Sequence, residues 1–492
     1  MAAARADHRV IVIGSGFAGI AMGIKLKQAG IDDFVILEKD DDLGGTWRDN
    51  TYPGCACDIP SYLYSYSFEP NPGWSRMFSP QREIWDYLRH CVDAYGLTPH
   101  LRYGTEVTSA TYAADSATWT VQTGAGDVLT AQVITAGVGA LHEPSYPDLP
   151  GLDRFEGTTF HSAHWDHEHD LAGERVAVVG TGASAIQFVP QIAPVAGHLD
   201  VYQRSAPWIT GKPDRGIGAT ERALHTKFPI GQRVIRALIY WALELRGIGF
   251  AISPKLMKGL EGQARKQLAR QVHDPALRER LTPDYQIGCK RILVSNDYYP
   301  TLGRDDVDLV TDGIREVTAT GIVTTDGTAR VADTIVFGTG FEVSGNLTRM
   351  KIVGRDGVEL NDRWERDGIG AHLGITIAGF PNLFLLVGPN TGLGHNSMIF
   401  MIEQQVAYVI QALAAMDRRD ADWVEVGEQQ QRRFVDRVQT RLSDSVWSGC
   451  QSWYLDDDGR NFTIWPHFAW KYWQETRRLR TRDFTFGRTA RP

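Results

Sequence analysis

Cysteine is scarce in this chain, and the few cysteines follow no recognisable pattern. The 492 residues include five cysteines, an odd number, and no two of them form a CxxC pair. The sequence therefore predicts neither a disulfide framework nor a zinc or other metal site, and it fits a reducing cytoplasm. No CxxxxC pair follows the glycine-rich segment at residues 14–19, which argues against a disulfide reductase. The five are Cys55, Cys57, Cys91, Cys289 and Cys450.

Long apolar runs are also missing. The nearest candidate, residues 234–252, is interrupted by Arg236, Glu244 and Arg246, so it falls short of the roughly 18 apolar residues of a membrane span. We expect a buried or substrate-lining helix there. A surface that touches a membrane stays open as an alternative because apolar side chains cluster at Ile239, Tyr240, Trp241 and Leu243. The polar N-terminus, MAAARADHR, carries no apolar signal region, so we expect a cytoplasmic protein.

An excess of positive charge is absent as well. The chain has 51 Lys and Arg against 59 Asp and Glu, a net charge of −8, which argues against nucleic acid as the main partner. Its 43% hydrophobic and 22% charged content is that of a globular protein. At 492 residues it is too long for one ordinary core, so two or three domains are expected.

Two glycine-rich turns stand out among the features that are present. The apolar strand run 10–13 leads into Gly14, Gly16 and Gly19, and the run 176–179 leads into Gly180 and Gly182. In such turns the first glycine allows the tight bend and the second lets backbone approach a pyrophosphate at a helix N-terminus. The sequence predicts an α/β fold with two Rossmann-like dinucleotide-binding domains and a helical insertion.

The residues that follow each turn predict different cofactors. Glu38 ends the strand after the first turn, and its carboxylate suits a ribose 2′-OH. Arg204 and Ser205 follow the strand after the second turn, where they suit a 2′-phosphate that a carboxylate would repel. We therefore expect FAD at the first turn and NADPH at the second.

Strand returns and composition predict how these domains interrupt each other. A helix is expected over 80–95, with Ser79 as its N-cap, and another over 398–416. The predicted segments are 1–145 (FAD-binding domain, first part), 146–215 (NADPH-binding domain, first part), 216–284 (helical insertion), 285–336 (NADPH-binding domain, second part) and 337–492 (FAD-binding domain, second part).

The linker before the second turn carries a longer motif. It places Phe155, Gly157, His161, Trp165 and Asp166 in the spacing F-x-G-x-x-x-H-x-x-x-W-[PD]. This resembles the fingerprint of type I Baeyer–Villiger monooxygenases. Residues 45–58, GTWRDNTYPGCACD, are similar to a second family motif, and Lys290-Arg291 is similar to the family's active-site pair. The resemblance covers essentially the whole chain, although residues 215–281 match no motif.

The resemblance implies a reaction. NADPH would reduce FAD, and O₂ would form a flavin C4a-peroxide that inserts one oxygen into a ketone to give an ester or lactone, with sulfide oxidation as a side activity. Arg291 would stabilise the anionic peroxide, because a guanidinium keeps its charge at any working pH, and Asp58 would orient it. Lys290 and Arg204 would hold the 2′-phosphate. His161 is assigned to the domain linker and not to proton transfer.

The same resemblance supplies the remaining binding residues. The FAD set is Gly14, Gly16, Ala18, Gly19, Glu38, Gly45, Thr46, Trp47, Asp58, Tyr64, Val107 and Met398. The NADPH set is Gly180, Thr181, Gly182, Ala183, Ser184, Gln187, Arg204, Ser205, Lys290 and Arg291.

Three alternative functions stay open at this point. A flavin-dependent oxygenase acting on nitrogen or sulfur shares the two turns but would give no ester from a ketone. An NADPH-dependent electron-transfer reductase would pass electrons to a partner protein, with fast NADPH consumption and no stable peroxyflavin. A non-catalytic NADPH-sensing protein would not need Lys290, Arg291 or Asp58.

Overall fold

Two sheets built mainly from parallel strands organise the chain, and the first is begun by the N-terminal segment. The computed structural model describes residues 6–251, 254–343, 345–456 and 458–489. The last four residues of the first strand are fully apolar and buried, as expected for a parallel strand covered on both faces. The elements up to residue 136 are β1 (His8–Ile13), α1 (Phe17–Gln28), β2 (Phe34–Leu37), α2 (Thr46–Asp49), α3 (Gln81–Ala94), β3 (Leu101–Arg102), β4 (Val107–Ala113), β5 (Thr118–Thr123) and β6 (Val128–Ala136).

A second nucleotide unit and a helical stretch follow. The sequence-predicted helical insertion is present as five consecutive helices. The elements are β7 (Thr158–His161), β8 (Arg175–Val179), α4 (Ala185–Ile192), β9 (His198–Tyr202), β10 (Ile209–Thr210), α5 (Ala219–Lys227), α6 (Pro229–Arg246), α7 (Ile248–Ala251), α8 (Met257–Gln271) and α9 (Pro275–Arg280).

The chain then completes the second sheet. The new elements are β11 (Leu293–Val294), α10 (Tyr298–Leu302), β12 (Val307–Val310), β13 (Ile314–Thr318), β14 (Gly321–Thr324), β15 (Ala329–Val331) and β16 (Thr334–Phe337). The second sheet has the order β12-β9-β8-β16-β7 with every pair parallel, while β13, β14 and β15 form an antiparallel meander and β10 pairs with β11.

The C-terminal part returns to the first sheet. It contributes α11 (Gly345–Thr348), β17 (Lys351–Val353), α12 (Leu360–Asp367), β18 (Leu383–Leu385), α13 (Met398–Arg419), β19 (Trp423–Val426), α14 (Glu428–Ser443), α15 (Ala469–Thr476) and β20 (Phe484–Gly487). The first sheet has the order β17-β4-β5-β6-β1-β2-β3, with β18 parallel to the end of β6. The four boundaries between the five predicted segments stay predictions.

Two local expectations about helices need correction. Helix α3 begins at Gln81 with Pro80, not Ser79, at its N-cap, because the extended backbone of Pro80 (φ −66°, ψ 158°) places the first turn after it. The Ser79 hydroxyl instead donates to Ser61 Oγ at 2.6 Å. Helix α13 extends past the predicted end at residue 416 to Arg419, where Asp420 adopts a left-handed conformation that ends it.

The expectation of a buried helix near residue 240 is wrong for much of α6, and the substrate-lining alternative stays a prediction. Of its 18 residues, only Gln232 and Glu244 are buried, and several large apolar side chains face outward. The one described helix that is long and apolar enough to cross a membrane is α13, and 56% of its apolar window is buried inside the protein.

The expectation that the cysteines form no disulfide is also wrong. Cys289 and Cys450 are bonded, with their Cα atoms 6.1 Å apart, while Cys55, Cys57 and Cys91 are free and buried. Spacing along the sequence could not reveal the bond, because it joins residues 161 positions apart. The bond fixes the segment before Arg291 to the C-terminal part of the chain.

This pairing predicts a thiol count. Protein purified and denatured without reductant should give three alkylated cysteines by intact mass, and five after reduction. Before denaturation the three free thiols should react slowly, because burial raises their pKa values, to about 12 for Cys55 and Cys91. Five alkylated cysteines without reductant would contradict the bond, and a disulfide-linked peptide containing Cys289 and Cys450 would identify it.

Candidate active site

The first glycine-rich turn connects β1 to α1 by close backbone contacts. Gly14 has φ +93°, and a Cβ there would lie 2.7 Å from the Gly137 carbonyl oxygen. A Cβ on Gly19 would lie 1.8 Å from the Gly14 carbonyl oxygen, so α1 is pressed against the turn. Gly16 differs, because a Cβ there would have no other heavy atom closer than 3.9 Å. The space beside Gly16, at the N-terminus of α1, is open for a pyrophosphate.

Glu38 lies beside this turn as predicted. Its buried carboxylate accepts hydrogen bonds from the Ser15 backbone N–H at 2.8 Å and from the Ser15 hydroxyl at 2.6 Å. Arg48 approaches its other oxygen at 3.5 Å. Val107 begins β4 two residues after Thr105, whose N–H donates to the Glu38 carbonyl at 2.7 Å.

Other predicted FAD residues gather around the same turn. A Cβ on Gly45 would lie 3.5 Å from the Gly16 Cα. The Trp47 indole donates to the Tyr64 hydroxyl at 3.0 Å, and the Tyr64 ring meets Phe17, the first residue of α1, at 5.4 Å. Of the rest, Thr46 donates to the Leu141 carbonyl at 3.1 Å, Ala18 is buried on α1, and Met398 begins α13, which packs along α1.

The second turn repeats this geometry. Gly180 has φ +110°, and a Cβ there would lie 2.5 Å from the Gly338 carbonyl oxygen. A Cβ on Gly182 would meet no heavy atom closer than 3.8 Å, which leaves open space at the start of α4. Thr181, Ala183 and Ser184 complete the turn, with Ser184 at the N-cap position.

Gln187 is placed differently from the other predicted NADPH residues. Its side-chain oxygen accepts from the Tyr52 hydroxyl at 3.0 Å and the Ala56 N–H at 3.3 Å, and its amide donates to the Ala56 carbonyl at 2.9 Å. The side chain therefore connects α4 to the segment that carries Asp58.

Two cations converge beside the second turn. Lys290 Nζ donates to Ser205 Oγ at 3.2 Å, and the Ser205 carbonyl accepts from the Thr181 hydroxyl at 3.3 Å. Burial and then the positive charge of Arg204 lower the pKa of Lys290. Within the described residues no carboxylate forms an ion pair with Arg204. Neighbouring like charges favour an anionic ligand.

Arg291 and Asp58 form an ion pair between segments 233 residues apart. The Asp58 carboxylate raises the pKa of Arg291 above its usual value, so the guanidinium keeps its charge. The Arg291 side chain as a whole is 37% exposed. The buried Tyr454 phenol interacts electrostatically with both groups, and burial raises its pKa to about 12.

One cluster has metal-ligand chemistry. His198, Asp200 and Asp308 could together hold a cation. Arg330 supplies positive charge there instead, because its guanidinium donates to Asp200 at 2.8 Å and to Asp308 at 3.1 Å. We assign no metal to this cluster.

Comparison with known proteins identifies the family. Residues 11–218 match the model of a pyridine nucleotide-disulphide oxidoreductase family. A Baeyer–Villiger monooxygenase of Pseudomonas aeruginosa is 49% identical over 480 residues, covering 97% of this chain and 91% of that protein. The chain belongs to the Baeyer–Villiger monooxygenases.

Solved structures agree with this assignment to the Baeyer–Villiger monooxygenases. An oxidized steroid monooxygenase bound to NADP superposes with a TM-score of 0.88 at 31% identity, covering 98% of this chain and 99% of that chain. OTEMO in complex with FAD and NADP gives a TM-score of 0.89 at 28% identity, covering 98% of this chain and 100% of that chain.

The fingerprint linker of this monooxygenase includes β7, the edge strand of the second sheet. His161 ends β7, is fully buried, and its Nδ1 accepts from the Ala163 N–H at 3.1 Å. Its ring contacts Tyr146 and Phe341, and burial lowers its pKa to about 4. The imidazole is therefore neutral and enclosed, and its linker role stays a prediction.

The other motif residues make local contacts. A Cβ on Gly157 would meet the Asp333 carbonyl and the Phe155 ring. Trp165 packs on Phe160 and Phe188, and the Asp166 side chain accepts from the Glu168 N–H.

Sequence motifs missed two contributors to the site of this monooxygenase. Tyr454, which lies beside the Arg291–Asp58 pair, follows in the C-terminal part with no motif to mark it. The second is the Cys289–Cys450 bond, since Cys289 lies two residues before Arg291 and only the spatial arrangement shows that the two cysteines are bonded. The cysteine count was the available signal in the sequence, and because it is odd it argued against a disulfide.

The open space at Gly16 and Gly182 provides a test of the two predicted cofactor sites. Gly16→Val should fold but retain little FAD, because its side chain meets the pyrophosphate and not the protein. Gly182→Val should remain yellow and be reduced poorly by NADPH. The measurements are flavin absorbance per protein and the rate of anaerobic reduction.

A matched control is Gly218→Val. Gly218 also occupies a helix N-cap, and nothing lies within 4 Å of a Cβ there. This variant should keep both FAD and reduction by NADPH. A FAD-saturated Gly16→Val protein would refute the placement of FAD at the first turn.

Proposed function

We propose that this monooxygenase oxygenates a ketone at a site formed around the Arg291–Asp58 pair. Ketone, O₂, NADPH and one proton give an ester or lactone, NADP⁺ and water. The observation that most supports the proposal is the position of this ion pair. Asp58 belongs to the first nucleotide unit, and Lys290, the neighbour of Arg291, contacts Ser205 of the second.

FAD and NADPH are the cofactors of this enzyme, and the residues at the two turns fit them. Each turn places a helix N-terminus beside open space at its second glycine, Gly16 or Gly182. Bound FAD accepts two electrons from NADPH and delivers them to O₂. Glu38 suits the ribose of FAD, and Lys290 with Arg204 suits the phosphate by which NADPH differs from NADH.

Arg291 is the residue we propose as catalytic. Its planar guanidinium stabilises negative charge that develops as O₂ takes up electrons, since its charge is fixed and its donors form a fork. Asp58 holds the guanidinium in place through their ion pair.

The predicted segments and setting are part of the same proposal. The returns of β16 to the second sheet and of β17 and β18 to the first support the division at residues 145, 215, 284 and 336. We propose a cytoplasmic enzyme whose partners are the small-molecule ketone or sulfide and O₂, without nucleic acid.

Product analysis separates this function from its alternatives. A panel of linear and cyclic ketones, incubated with NADPH under labelled O₂, should yield an ester or lactone containing one labelled oxygen. Oxidation of amines or sulfides, with no ester or lactone formed from any ketone, would favour the N- or S-oxygenase. NADPH consumption that requires a protein acceptor would favour the reductase.

Coenzyme preference depends on Arg204 in this proposal. Each charge-assisted contact to the 2′-phosphate contributes about 1.5–3 kcal/mol, so Arg204→Ala should raise the KM for NADPH by about one to two decades. Kinetics with NADH should change little. The matched control is Arg315→Ala, an exposed arginine of β13 whose guanidinium donates to its neighbour Glu316 at 3.1 Å. Equal losses with NADPH and NADH would remove the phosphate role from Arg204.

Arg291 should separate reduction from oxygenation. Arg291→Ala should still bind FAD and be reduced by NADPH, but it should release H₂O₂ and not convert ketone. Arg291→Lys should restore little because it lacks the planar fork. Asp58→Asn should show a milder loss, since the arginine is present but less well held. The measurement is product and H₂O₂ per NADPH consumed, and wild-type coupling in Arg291→Ala would remove the catalytic role.

A further inference from the structure

Helix α6 exposes a continuous row of large apolar side chains. Five residues at helical spacings of four, four, three and four are each 54% to 72% exposed and share one face of the helix. The row runs nearly the whole length of α6, about 27 Å. Monomeric proteins rarely leave such a row uncovered. The residues, called here the α6 stripe, are Ile230, Val234, Leu238, Trp241 and Leu245.

The opposite face of α6 is held to the protein by polar contacts. Gln232 donates to the Asn71 carbonyl at 2.7 Å, and Arg236 donates to the Ser65 carbonyl at 2.9 Å and to two neighbouring carbonyls. Glu244 accepts from the Asn396 amide at 2.6 Å. Rotation of the helix to bury the stripe would break these bonds and leave buried polar groups unpaired. The outward direction of the stripe is therefore fixed.

Positive charge predominates around the stripe. All of α6 is described, and its one acidic residue, Glu244, is buried, whereas Arg233 and Arg246 are exposed. Residues 222–258 contain seven basic residues and one acidic residue, in a chain whose net charge is −8. The exposed flanking cations are Lys227, Arg233, Arg246, Lys255 and Lys258.

This combination distinguishes between two occupants. A second copy of the chain packed stripe to stripe would bring arginines of both copies together, with no exposed acid on α6 to pair with them. Anionic lipid headgroups would pair with the flanking cations while the apolar side chains enter the acyl boundary, and Trp241 suits that interface. We propose that α6 is an interfacial helix that docks this enzyme flat on an anionic membrane surface.

The docked surface would lie close to the candidate active site. Tyr240 of α6 packs against Phe400 with ring centres 5.1 Å apart, and Glu244 binds Asn396. These two partners flank Met398 at the start of α13. The docking itself depends only on α6 and not on the proposed reaction.

Vesicle flotation of the full-length holoenzyme tests the proposal without substrate. The protein should float with phosphatidylcholine vesicles containing roughly 30% phosphatidylglycerol, and less with phosphatidylcholine alone or at high salt. The double variant Leu238→Glu/Trp241→Glu should weaken binding at least about tenfold. Arg233→Gln/Arg246→Gln should weaken binding chiefly to the anionic vesicles.

The matched controls carry the same substitution elsewhere. Val195→Glu and Trp473→Glu replace apolar side chains that are 53% and 43% exposed outside α6, and both should float like the wild type. Flavin content and NADPH oxidation in solution verify that the stripe variants are folded. Wild-type protein that stays with the unbound fraction, or stripe variants that float normally, would overturn the proposal. A dimer that dissociates in the Leu238→Glu/Trp241→Glu variant would overturn it in favour of a second copy.

Discussion

Close approach of backbone to backbone at two glycines is the constraint on which the rest of this structure depends. Gly14 lies against the carbonyl of Gly137, just after β6, and Gly180 lies against the carbonyl of Gly338, just after β16. Both have positive φ, so a side chain would be strained and would also displace the adjoining strand. These contacts aim the N-termini of α1 and α4 at open space and so determine where each dinucleotide can bind.

The charged residues are arranged around these two sites by a short stretch of chain. Lys290 contacts Ser205 beside the second turn, and its neighbour Arg291 contacts Asp58 of the first nucleotide unit. Two adjacent residues thus face the two sites separately. Gln187 adds a second connection by binding Tyr52 and Ala56, close to Asp58. A shift of one nucleotide unit relative to the other would therefore change the position of the Arg291 guanidinium.

The features that were predictable from sequence are those encoded locally. The glycine turns, with Glu38 and Arg204 after them, predict both cofactor sites because each lies within one strand-turn-helix unit. The prediction of Ser79 as the N-cap of α3 was wrong because the extended backbone of Pro80 sets where the first turn begins, and the residue pattern does not report that conformation. The Cys289–Cys450 bond and the outward face of α6 depend on residues far apart in the chain, and neither periodicity nor spacing reports such contacts. The position of Tyr454 beside Arg291 and Asp58 likewise depends on residues far apart in the chain.

The interleaved order of the strands has a consequence for synthesis on the ribosome. Strand β6 ends at Ala136, but β18, which pairs with its last residues, ends at Leu385, about 250 residues later. At about 5–20 residues per second this gap lasts roughly 12–50 s. The second sheet, from β7 to β16, is translated entirely within that interval. The unit begun first is therefore completed last, and the last residues of β6 are without their β18 partner throughout that interval.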